Sequence, residues 1–71
     1  MIYDYYRLYF AREHYYAKRY IVDTLDMVYT MINNLSDTYD EYLIIGHNNE
    51  LDQDEVIEHQ RIEHKTRKKG R

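Results

Sequence analysis

The sequence has no cysteine, no proline and no tryptophan, and only two glycines, Gly46 and Gly70, in 71 residues. Without cysteine there are no disulfides and no thiolate zinc sites, so a chain this short must draw stability from its core or from association. The lack of cysteine also fits a reducing compartment. The lack of proline and the scarcity of glycine remove the usual punctuation of a many-stranded sheet and favour helices. Long apolar runs are missing too. The longest unbroken aliphatic run is Leu43-Ile44-Ile45, far short of the roughly 18 residues of a membrane span. Asp4 and Arg7 interrupt the N-terminus before any apolar stretch of signal-peptide length. These features predict a soluble, cytoplasmic protein with no membrane contact.

The most informative scarcity is of positive charge. Residues 21–60 contain ten Asp and Glu and no Lys or Arg, a balance of −10. Residues 1–20 stand at +2 and residues 61–71 at +5, giving the net −3. Charge runs are ordinarily solvated faces. An acidic surface can also dock in a basic groove on another protein, with fast and specific association. Asp23, Asp26, Asp37, Asp40 and Glu41 are the candidate residues for such a surface.

What is abundant is tyrosine, ten in all, seven of them between Ile2 and Tyr20 and interleaved there with Arg7, Arg12, Lys18 and Arg19. Advanced at about 100° per residue, Tyr5, Tyr6, Tyr9, Phe10, Tyr16, Tyr20, Met27, Val28, Met31 and Leu35 share one broad side. That phase predicts one long helix from about Asp4 to Asn34, with Asp4 as N-cap. A second stripe follows a seven-residue interval, Leu8, Tyr15, Val22 and Tyr29. It predicts a homo-oligomer interface, because tyrosine supplies a large rigid body with a polar tip. Glu13 falls within the first stripe and reads as a polar register-setter rather than a catalytic acid.

Thr38 and Glu41 fit a capping box, and Gly46 fits a helix C-cap. They predict a short helix from Thr38 to Ile45. A β-strand at Tyr42–Ile45 is the competing reading, set second because no partner strand is evident. A third helix is expected from Leu51, with a frayed tail at its end. The predicted architecture is therefore all-α, a three-helix domain over residues 1–62 followed by a basic tail at 63–71.

No signature of catalysis is present: no glycine-rich phosphate loop, no G-x-S-x-G elbow and no cysteine nucleophile. Ser36, Asp37 and His47 do not form a convincing triad. Glu55, His59 and Glu63 stand four residues apart, which is also the ordinary grammar of a polar helix, so no metal or other cofactor is expected. The function expected is a non-enzymatic protein–protein interaction module, an inhibitor or regulator that presents an acidic surface to a basic partner. The alternative is a small nucleic-acid-binding protein that uses the Tyr/Arg-rich N-terminal helix for stacking and the basic C-terminal tail, with Arg61, Lys65, Arg67, Lys68 and Lys69, for phosphates.

Overall fold

The structure is a computed structural model and describes residues 2–13 and 15–62. Four strands and one helix follow in the order β1 (Tyr5–Arg12), β2 (Tyr15–Val22), α1 (Leu25–Leu35), β3 (Glu41–Asn48) and β4 (Gln53–Arg61). The strands form one antiparallel sheet in the order β2-β1-β3-β4, so the two hairpins lie side by side with β1 and β3 at the centre. The helix crosses one face only.

That face is the core. Leu8 and Phe10 of β1, Val22 of β2, Ile44 of β3, and Val28 and Ile32 of α1 are buried together. Val28 and Ile32 stand one turn apart, which places both on the helix face turned to the sheet. Tyr6, Tyr20, Leu25, Met31, Leu35, Tyr39, Tyr42 and Ile57 close the edges. Each fully buried aliphatic or aromatic side chain contributes about 1.5–3 kcal/mol, so a handful of residues carries most of the stability. The helix begins at Thr24, whose hydroxyl accepts from the Met27 amide at 3.2 Å. Glu58 of β4 fastens the same face, accepting from the hydroxyls of Tyr29 on the helix (2.5 Å) and Tyr42 on β3 (3.0 Å).

The sheet overturns the expected all-α architecture. The long helix predicted from Asp4 to Asn34 is two strands and a helix of 11 residues. The reason lies in the tyrosines. Within β1, Tyr6, Leu8 and Phe10 face the helix while Tyr5, Arg7 and Tyr9 face away. Tyrosine on both faces erases the two-residue alternation and leaves spacings that also fit a helix. Asp4 caps no helix; its carboxylate accepts from the Asn49 amide at 2.6 Å. The segment Thr38 to Ile45 is a turn and then strand β3, the reading set second from sequence. Its partners are β1 and β4, neither of which reads as a strand alone. Gly46 is not a cap but lies within β3. A Cβ there would stand 2.5 Å from the Tyr3 ring, so only glycine lets that ring cross the strand. The helix expected from Leu51 is strand β4. The basic tail at 63–71 lies outside the described residues.

The proposed oligomer stripe loses the helix that aligned it. Leu8 and Val22 lie in the core, Tyr15 is 79% exposed at the start of β2, and Tyr29 binds Glu58. Among the described residues no helix is long and apolar enough to cross a membrane.

Candidate binding face of the sheet

Because successive strand residues point to opposite sides, the register fixes what the helix leaves bare. Four rows cross the sheet from β4 through β3 and β1 toward β2. The first is Asp54, His47 and Tyr5; the second is Val56, Ile45, Arg7 and Ile21. The third is His59, Leu43, Tyr9 and Arg19; the fourth is Arg61, Glu41, Ala11 and Tyr16. No described element covers these rows. Ile21 and Val56 remain 62% and 61% exposed.

The first two rows are tied by ion pairs. Arg7 donates to Asp54 at 2.6 Å, and Asp54 pairs through its other oxygen with His47 Nδ1, also at 2.6 Å. The Tyr5 ring stacks on His47 with centroids 4.9 Å apart. The hydrogen bond from His47, and then that from Arg7, hold the Asp54 carboxyl below the usual carboxylate range. Arg7 is thereby spoken for, although its Nε is buried without a hydrogen-bond partner.

The last two rows enclose a hollow of about 170 Å³ lined by Tyr9, Ala11, Tyr16, Glu41, Leu43 and His59, with the backbones of Phe10 and Tyr42 as floor. Tyr9 and Tyr16 form two walls, their rings 5.3 Å apart and inclined at 51°. Glu41 and His59 meet at 2.6 Å on the opposite side. Small-molecule sites generally measure roughly 300–1,000 Å³, so this hollow accepts a single ring rather than a whole ligand. Arg19 lies across from Tyr9 and Arg61 across from Glu41. Neither arginine has an ion-pair or hydrogen-bond partner among the described residues.

Charge divides by face. Five Lys and Arg are described, and Arg7, Arg19 and Arg61 lie on the bare face. Twelve Asp and Glu are described, yet strand positions on this face hold only Glu41 and Asp54, both paired there. Asp52 approaches His47 to 3.9 Å from the rim.

The five acids singled out from sequence fall into two groups along the chain. Asp23 and Asp26 sit at the start of α1, while Asp37, Asp40 and Glu41 follow its end, about 16 Å away at 1.5 Å per helical residue. Asp40 is taken up in structure, its carboxylate accepting from the Glu13 amide at 3.2 Å. Glu55 and His59, grouped for metal binding on a helix, fall on opposite faces of β4, and Glu55 instead accepts from the Tyr3 hydroxyl. Among the described residues no cluster of His, Asp and Glu is arranged to hold a metal ion. Of the predicted nucleic-acid residues, Arg61 ends β4 on the bare face; Lys65, Arg67, Lys68 and Lys69 lie outside the described residues. Tyr9, Tyr16, Arg19, Leu43 and His59 escaped prediction as a group, because they converge only once strand pairing is known. Comparison with protein-family models, curated proteins and solved structures found no match.

Proposed function

We propose that the protein is a non-enzymatic binding module whose working surface is the bare face of the sheet, and that its ligand is single-stranded nucleic acid. The observation that carries this reading is the segregation of charge. An acidic chain with pI near 5.7 places three of its four described arginines on the one face left open, beside Tyr5, Tyr9 and Tyr16, and keeps most of its carboxylates elsewhere. Single-strand binding needs cations that follow the backbone and aromatic rings on which bases stack. Tyr5, Tyr9 and Tyr16 supply the rings; Arg19 and Arg61 supply unpaired cations. The run of Lys and Arg from residue 65 follows directly on β4 in the chain.

Anisotropy titration of a labelled single strand tests the reading. Binding should weaken steeply with salt, by a slope of about −0.7 per phosphate contacted. The double change Arg19→Glu and Arg61→Glu should remove most of it without loss of the fold. Equal binding by this variant would sink the reading.

A second reading, a protein-interaction module, draws on the other half of the same face. Ile21, Ile45 and Val56 share a row with the ion-paired Arg7 between Ile45 and Ile21, and exposed apolar residues grouped in this way mark protein contacts. A basic partner for the acids of α1 and the following loop draws less support, since those acids form two groups.

A further inference from the structure

The hollow between Tyr9, Tyr16 and Leu43 is the most specific feature of the bare face. We infer that it is a base-binding subsite: one unpaired base of a single strand settles in the hollow against the touching Tyr9 and Tyr16 rings, while the backbone crosses the sheet from Arg19 to Arg61. This rests on the proposed function and adds to it a location and a stoichiometry of one base.

Three observations point the same way. The hollow is of single-ring size, and two inclined tyrosines in contact line one side of it. Leu43 and Ala11 give it an apolar base, so a stacked ring loses water without stranding polar groups. The two unpaired arginines lie on either side of it, on the outer strands β2 and β4. Strands about 4.8 Å apart put them about 14 Å from each other across the sheet. An aromatic ring flanked on both sides by negative charge is the complement of that arrangement. A short stretch of single strand supplies the ring and phosphates on both sides of it. Charge also disfavours a second copy of this chain as the occupant, because stacking two bare faces would bring Arg19 and Arg61 of both copies into one interface.

The test compares two labelled oligonucleotides with the same phosphates. One is a thymidine strand of about twelve nucleotides, within the roughly 4–16 that one small single-strand-binding fold covers; the other is its fully abasic counterpart. The full-length protein should bind the thymidine strand roughly 5- to 150-fold more tightly, the contribution of about one stacked base. Tyr16→Ala, at an exposed position away from the core, should abolish that difference and leave abasic binding unchanged. Arg19→Ala and Arg61→Ala should instead weaken both probes alike and lower the salt slope. Equal binding of the two probes by the unmodified protein overturns the subsite and leaves the nucleic-acid reading standing. No binding of either probe at low salt overturns both, and the row of Ile21, Ile45 and Val56 then becomes the working end of the face.

Discussion

On the covered face β1 contributes Tyr6, Leu8 and Phe10; on the bare face it contributes Tyr5, Arg7 and Tyr9. The same eight-residue strand thus serves two environments with one alternating pattern. The covered side keeps charge to its outer strands: Lys18 of β2 and Glu55 of β4 fall on it by register, and Glu58 receives two hydroxyls at its edge. The bare side carries Arg7, Arg19 and Arg61 in ranks with tyrosine and aliphatic residues. A one-helix, four-strand domain has only enough apolar material for one core. Whatever stands on the second face is under little demand from stability, and its composition is available to binding.

The sharpest way to break this comparison is to truncate one residue on each side. Phe10→Ala removes a fully buried ring and should cost about 3–5 kcal/mol, enough to unfold a domain this small. Ile21→Thr on the bare face should stay within about 0.5 kcal/mol, as surface changes generally do. Urea denaturation of both variants decides the matter. A large loss for Ile21→Thr would mean that the bare face is buried in solution, and sedimentation would then be expected to show association.

A smaller effect belongs to the seam where helix and sheet meet. Burial first, and then the hydrogen bond to Glu58, push the Tyr42 hydroxyl up to about 12; the bond to Glu58 raises Tyr29 as well. An unfolded tyrosine ionises near about 10. The folded state therefore favours the protonated phenol. Its contribution is complete below about pH 10 and is lost as pH rises from there through about 12. Glu58→Ala should cost about 1.5 kcal/mol at neutral pH, the lower end for hydrogen bonds to a charged group, because Tyr29 is exposed. The tyrosinate absorbance titration of that variant should begin earlier than that of the wild-type chain, and the difference should shrink without vanishing in a Tyr42→Phe background, because Glu58 also holds up Tyr29.

The sequence made some of this legible and hid the rest for identifiable reasons. The charge blocks were plain, and so was the pairing of tyrosine with arginine in the first 20 residues. The strands were not. Asn-Gly or Asp-Gly, the common signals of a two-residue hairpin, occur nowhere in the chain. The first hairpin instead turns at Glu13, and the second passes through Asp52, both with positive φ. Gly46, the only glycine before the tail, marks a crossing by Tyr3 and not a turn. The hollow could not be read at all, since Tyr9, Tyr16, Leu43 and His59 come from four different strands and meet only through register. The Thr24 cap and the Leu25, Val28 and Ile32 spacing after it went unread, because the apparent phase of the preceding tyrosines absorbed them into a longer helix.

The unusual turns supply the smallest effect and test whether the two-faced strand depends on them. Glu13 holds φ at 53°, a left-handed conformation that costs an ordinary L-residue about 1–2 kcal/mol. Glycine adopts it without that cost but loses more freedom on folding. Its amide donates to both carboxylate oxygens of Asp40, at 3.2 and 3.3 Å, and this backbone contact survives any side-chain change. The two opposing terms should leave Glu13→Gly more stable by about 0.5 kcal/mol, near the scale of glycine substitutions acting through the unfolded chain. Denaturant midpoints measured beside wild type would show it. The single-strand affinity should not change, because the Glu13 side chain is not among those lining the hollow. A loss of stability above about 1 kcal/mol would instead show that the Glu13 carboxylate holds the hairpin; a gain in affinity would show that it opposes an anionic ligand, and would extend the binding track of the bare face to the β1–β2 turn.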